Sequence, residues 1–178
     1  GTLTNYGTIT VYNNNATGIA AQSGTSITNS ANAKINIGGS GGTGINGGAV
    51  TNVTNGGEIT VADGDNSVGI IFGGSGKVIN NGTIAMGTAS ATTPATGNYG
   101  INATAGSVEN NGTINMNAAG WAIKTNSGVD VTNAATGMIN LNRSGSYGIY
   151  SNGSAAIENA GQINVNGDNS WGIWVDDS

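Results

Sequence analysis

The chain has 178 residues, a formal net charge of −5 and only 7% charged residues, with 33 glycines, one proline, no cysteine and no histidine. That inventory excludes the basic stripe of a nucleic-acid binder and the attraction to anionic membranes that clustered Lys and Arg would give. It also removes disulfides, thiolate metal sites, thiol nucleophiles and any Ser-His-Asp arrangement.

Read from the N-terminus, the first unit is LTNYGTITV from Leu3, an apolar-x-Asn-x-Gly-x-Ile-x-apolar pattern carrying Asn5 and Ile9 and followed by Gly18–Ile19. The second starts at Ile27 with Asn29, Ile35 and Gly44–Ile45, and its turn, NSANAKI, is two residues longer. The third is VTNGGEITV from Val53, with Asn55, Ile59 and Gly69–Ile70, and the fourth runs from Val78 with Asn80, Ile84 and Gly100–Ile101. In the fifth, VENNGTINM from Val108, Asn110 and Ile114 are kept and Ala122–Ile123 replaces Gly-Ile. The sixth has Val131, Asn133, Ile139 and Gly148–Ile149 with another long turn, NAATGMI; the seventh has Ile157, Asn159, Ile163 and Gly172–Ile173. Ile9 and Ile163 are six intervals apart, a period of about 26 residues, which lies in the range of repeat architectures.

Gly-, Asn- and Ser-rich composition with little charge also suits a disordered chain, but a disordered chain has no reason to keep a register. Each unit holds three short apolar segments that alternate with period two, as half-buried strands do, separated by Gly, Asn, Ser and Asp. No 3.6-residue apolar face can be traced, and helix formers are scarce. Because every segment resembles its equivalent one unit away, stacking like on like predicts a parallel β-solenoid with three strands per coil. Seven such coils form a single segment over 1–178, roughly 30–35 Å long. Parity predicts that Ile9, Val11, Ile35, Ile37, Ile59, Val61, Ile84, Met86, Ile114, Met116, Ile139, Leu141, Ile163 and Val165 point inward, with the isoleucines of the Gly-Ile pairs. The same parity places Val68, Tyr99, Trp121, Tyr147 and Trp171 inside, the aromatics stacked at a corner of the core, with a ligand platform as the alternative for them. Asn5, Asn29, Asn55, Asn80, Asn110, Asn133 and Asn159 are expected at tight turns, where asparagine tolerates the left-handed region and its side chain can bond nearby backbone, with their amides forming a ladder along the rod. The glycine two residues later implies a close approach denied to side chains.

The stretches NNGTI, NGDNSWGIW and SGSYGIYSNG resemble the degenerate repeats of bacterial autotransporter passenger domains, the surface-exposed portions of type V secreted proteins. The resemblance covers the whole chain; one NxGxI means little, but seven in register with Gly-Ile pairs are much more specific. It implies a right-handed parallel β-helix, a signal peptide upstream, an outer-membrane β-barrel downstream and display at the bacterial surface. The opening GTLTNYG has no signal-peptide character, no apolar run approaches the ~18–20 residues of a membrane span, and the chain starts and stops partway through its repeat. The expectation is therefore a segment of a longer passenger that does not itself enter the membrane. Proteins of this family are mostly adhesins, self-association factors or stalks displaying an enzyme, and the repeats do not distinguish these roles.

Chemistry is sparse. The carboxylates are Glu58, Asp63, Asp65, Glu109, Asp130, Glu158, Asp168, Asp176 and Asp177. Glu109 and Glu158 fall in one column two rungs apart, roughly 10 Å, wide for a retaining glycosidase pair and marginal for an inverting one. No catalytic role, cofactor or metal is expected. In ADGDNS, Asp63 and Asp65 raise a Ca²⁺ reading, but the longer EF-hand pattern is missing and tight turns favour Asp and Asn on their own account. Thr8 and Thr10 suit a flat ice-binding face, which Glu58/Thr60, Met138/Asn140 and Gln162/Asn164 interrupt. Two features suit recognition. The connection GTASATTPATGNY forms a candidate protruding loop containing Thr88, Ser90, Thr92, Thr93, Pro94 and Thr96, read equally as a binding loop or as a tolerated neutral insertion. Ile71, Tyr150 and Trp174 follow the Gly-Ile pairs and are expected to point outward, with Tyr150 and Trp174 adjacent, either as a binding pair or, for Trp174 in the last rung, to pack on residues beyond this segment. The function expected is adhesion or self-association by contact, between like cells or with a host surface protein or glycan. The alternative is a passive stalk for an upstream subtilisin-like protease; a polysaccharide-acting or ice-binding solenoid ranks behind both.

Overall fold

Leu3 and Asn5 of the first unit lie beside Ile27 and Asn29 of the second in a parallel ladder, and Ile59, Ile84 and Ile114 follow one another in the same way. The structure, a computed structural model, describes residues 1–62, 64–88 and 96–176. Among these residues, 21 strands form three parallel sheets of seven strands each, every strand bonded to its equivalent one coil away. The chain is a right-handed parallel β-solenoid of about seven turns. The ladder explains why so little side-chain chemistry suffices: the backbone donors and acceptors of each strand are satisfied by the coils on either side.

In the first sheet (Thr2–Asn5 to Ile157–Asn159) and the second (Thr8–Val11 to Gln162–Val165), the expected alternation holds. Ile35, Ile37, Ile59, Val61, Ile84, Met86, Ile114, Met116, Ile139 and Leu141 are all buried. Ile9, Val11 and Ile163 are only half-buried and Val165 is exposed, because each of these outermost coils has a neighbour on one side alone. The two longer turns close on themselves, Ala33 N–H donating to Ser30 O (2.9 Å) and Gly137 N–H to Ala134 O (2.7 Å), so the register of the following strands is unchanged.

The asparagine column forms the expected ladder. Asn5, Asn29, Asn55, Asn80, Asn110 and Asn133 each donate from Nδ2 to Oδ1 of the asparagine in the next coil at 2.8–2.9 Å, ending at Asn159. Their amides also bond backbone two residues on at the turn, as expected, Asn80 and Asn110 Nδ2 donating to Gly82 O (3.4 Å) and Gly112 O (3.2 Å), but none of them has left-handed backbone. The left-handed asparagines are Asn15, Asn66 and Asn169, three residues before the glycine of a Gly-Ile pair, where other coils place Gly41, Gly97 and Gly145. The ladder asparagines instead end extended strands and turn their amides into a corner where Asn29, Asn55, Asn80, Asn110 and Asn133 have no exposed surface. The glycine two residues later does mark a close approach: a Cβ on Gly82 would lie 2.0 Å from Gly57 O, and one on Gly112 2.1 Å from Gly82 O.

The third sheet (Thr17–Ala20, Thr43–Gly47, Val68–Phe72, Asn98–Ala103, Gly120–Asn126, Tyr147–Asn152 and Trp171–Asp176) departs from simple alternation. Gly100 and Ile101 are both buried, whereas Tyr99 and Asn102 on either side are half-exposed. A Cβ on Gly100 would point inward, 2.9 Å from Ile114 Cγ2 and 2.5 Å from Ala122 O. Two consecutive inward positions reverse the parity, as a bulge does. Tyr99, Trp121, Tyr147 and Trp171 therefore stack on the outside of the sheet and not within the core.

Candidate functional site

The parity reversal puts two columns that sequence parity separates onto one outer face. The first column is the ring ladder. Tyr99 and Trp121 have centroids 5.0 Å apart at 10°, Trp121 and Tyr147 5.6 Å at 12°, and Tyr147 and Trp171 4.7 Å at 14°. The second column consists of Lys124, Tyr150 and Trp174, in register along the same strands. Each of these residues straddles one step of the ladder. Lys124 Nζ lies 5.3 Å from the Tyr99 ring centroid and 5.7 Å from that of Trp121. Tyr150 meets Trp121 (6.3 Å, 68°) and Tyr147 (5.8 Å, 79°), and Trp174 meets Tyr147 (6.2 Å, 86°) and Trp171 (5.4 Å, 86°). Offset stacking and edge contacts are the arrangements that ring quadrupoles favour, and a cation beside two rings adds to them.

Tyr99, Trp121, Tyr147 and Tyr150 in the inner coils are half-buried, while Trp171 and Trp174, in the outermost coil with a neighbour on one side alone, are 39% and 40% exposed. Trp121 is enclosed more tightly, and its Nε1 is buried without a hydrogen-bond partner. The Tyr150 hydroxyl donates to Asp176 Oδ2 at 3.3 Å; burial first, and then the neighbouring Asp176 carboxylate, push the phenol above its ordinary pKa. A third column borders the rings, with Asn126, Asn152 and Asp176 in register.

Of the expected contact residues, Tyr150 and Trp174 are adjacent on this face. Ile71 is not joined to them: its ladder neighbours are Asn46 and Asn102, and Lys124 follows before Tyr150. For the candidate loop, Ser90, Thr92, Thr93 and Pro94 lie outside the described residues, as does Asp63. Thr96, at the end of the connection, donates from its N–H (2.6 Å) and hydroxyl (3.2 Å) to Asp65 Oδ1. Asp65 is thus occupied in pinning a turn. Among the described residues no group of three or more His, Cys, Asp or Glu side chains is placed to hold a metal.

Glu109 and Glu158 share a column with Thr132 between them, as the repeat predicts. Glu109 accepts from Lys77 Nζ at 2.9 Å and from Asn111 Nδ2 at 2.9 Å, and the lysine, then the asparagine, hold its carboxyl below the ordinary value. Lys34 and Glu58 pair similarly at 3.1 Å.

Sequence reasoning missed two surface ladders, one on the second sheet and one just past the ends of its strands. Asn164 Nδ2 donates to Asn140 Oδ1 and Asn140 to Asn115 (2.8 and 2.7 Å), while Asn166 donates to Asn142 and Asn142 to Asn117 (3.0 and 2.9 Å). Their signal was present as asparagines recurring one coil apart. In the Asn115 column it was hidden by the change to Thr10, Thr60 and Ala85 in earlier coils. No protein-family model, curated protein or solved structure matches this chain. What is shown is the parallel solenoid and the surface it builds.

Proposed function

We propose that this chain is a passenger segment of a bacterial surface adhesin, anchored through an outer-membrane barrel beyond the segment, and that it acts by non-covalent contact along the outside of the solenoid. The observation that carries this reading is the concentration of six of the chain's aromatic side chains on one outer face of the third sheet. Trp and Tyr anchors dominate contact energies because they remove large area from water at small cost in rotamer entropy. The solenoid suits the role, since its rungs present such a face as a fixed row. Association between like cells is the favoured outcome, with a host protein or glycan next.

The test is clumping of cells that display the chain, compared with cells displaying Tyr150→Ala plus Trp174→Ala. Loss of clumping in the double variant supports the reading. Undiminished clumping would remove the aromatic face from it. No clumping by either, and no binding to host surfaces, would favour the second reading, a passive stalk. That reading rests on the continuous Asn5-to-Asn159 ladder, which stiffens a rod without any surface chemistry.

A further inference from the structure

From the chemistry around the ring ladder we infer that the outer face of the third sheet is a binding site for a short stretch of uncharged polysaccharide. The inference deepens the contact reading above and rests on it. Three observations lead to it.

The first is the state of the bordering amides. Elsewhere in the molecule, asparagines in register bond to one another, as Asn115, Asn140 and Asn164 do. Asn126 and Asn152 are also in register and both are exposed, yet their amides make no such bond. Each leaves a donor pair and an acceptor beside Tyr150 and Trp174, and an amide serves hydroxyl groups in either sense. Rings with free amides alongside match the two surfaces of a sugar, its C–H faces and its hydroxyl rim.

The second is charge. Among the described residues this face carries one cation, Lys124, drawn against Tyr99 and Trp121, and one carboxylate, Asp176, which accepts the Tyr150 hydroxyl. The described residues of the face thus carry no excess of either sign to hold an acidic glycan or to steer a charged protein.

The third is size. Four rungs at ~4.8 Å and six strand residues at ~3.3 Å give a patch of about 20 by 20 Å, on the order of 400 Å². A stable protein partner or second copy needs roughly 800 Å² per side. A chain of three or four sugar rings needs no more than this patch offers. Clumping would then arise when the face of one cell grips neutral polysaccharide on another.

The experiment applies the fluorescently labelled chain to an array of neutral and acidic glycans and measures the strongest binder again by tryptophan fluorescence. Saturable binding to at least one neutral glycan is expected. Tyr150→Ala plus Trp174→Ala should weaken it by about tenfold or more, while Tyr6→Ala plus Tyr12→Ala, both 80% exposed and away from this face, should leave it unchanged. Circular dichroism checks that the aromatic variant folds; Asn126→Ala plus Asn152→Ala, confined to exposed side chains, should also weaken binding. Binding to no neutral glycan, preference for acidic ones, or full binding by both variants would each overturn the inference. Clumping that depends on Tyr150 and Trp174 without any glycan binding would sink the glycan and leave the contact reading standing. Glycan binding without clumping or host attachment would do the reverse.

Discussion

Asn80 donates its side-chain amide to Asn110 in the next coil at 2.8 Å while accepting from Asn55 at 2.8 Å, and none of the three has any exposed surface. Each amide in this column is thus both donor and acceptor to its own kind, a role that few side chains can fill. Asn80→Ala should lower stability by about 1–3 kcal/mol, because Asn55 and Asn110 each lose a partner where water cannot replace it. Asn80→Asp should cost more at neutral pH by burying a charge that cannot donate to Asn110. Burial raises such a carboxyl's folded pKa, so the deficit of Asp relative to Ala should shrink on acidification. Urea unfolding midpoints of the three proteins at neutral and acid pH decide this; equal midpoints would mean the ladder is not stabilising.

Glu109 supplies a second pH dependence of opposite sign. Its folded pKa lies below 4.5 because Lys77 and Asn111 bond its charged form. The stabilisation is therefore fully present above pH 4.5 and is lost as the pH falls through the folded value. Lys77→Met should flatten the acid limb of the stability curve by removing a small stabilisation near pH 7, under about 1 kcal/mol for a half-exposed pair, and should leave stability at the acid end, where the parent has already lost it, unchanged. Thermal melts between pH 3 and 7 would show it.

Phe72 is the largest fully buried side chain, and it fits because its ladder neighbours in adjacent coils are Gly47 and Ala103. Phe72→Ala should cost about 3–5 kcal/mol through lost transfer energy and an unfilled cavity. Ala103→Leu should be destabilising from the opposite direction, since the space it would enter is occupied by the ring. If Ala103→Leu melts with the parent protein, the packing described for this corner is wrong.

Gly112→Ala tests the close passage between coils. The new Cβ would fall 2.1 Å from Gly82 O, so the turn must move away from the coil before it. A loss of about 1–3 kcal/mol is expected from overpacking against backbone, which cannot rotate aside as a side chain can. Gly7→Ala, where a Cβ meets nothing within 4 Å, is the matched control and should change stability by less than about 0.5 kcal/mol.

Tyr147 stacks on Trp121 and Trp171 and meets Tyr150 and Trp174 edge-on. Tyr147→Ala should reduce the near-ultraviolet circular dichroism of both tryptophans and cost about 1–3 kcal/mol in the last coils, the sum of two or more ring contacts. Tyr147→Phe should preserve both. An unchanged spectrum in the alanine variant would mean that the rings do not stack in solution.

The repeat was legible in the sequence because a parallel solenoid makes each residue's chief neighbour its own equivalent one coil away. Asn5 to Asn159, Ile35, Ile59, Ile84 and Ile114 could be placed from spacing alone, as could Glu109 above Thr132. The same logic put Tyr150 beside Trp174. Period-two parity failed at the Gly-Ile pair, where Gly100 and Ile101 both face inward and no residue type announces the reversal. That local backbone choice, set by the fit of glycine against the next coil and Ile114, moved Tyr99, Trp121, Tyr147 and Trp171 from the expected core to the surface. It was also folding that chose among chemically identical asparagines, bonding Asn115 to Asn140 and leaving Asn126 and Asn152 apart. Spacing along a chain records which residues stack, but whether their side chains meet or face solvent depends on backbone direction, and that is settled only when coil packs on coil.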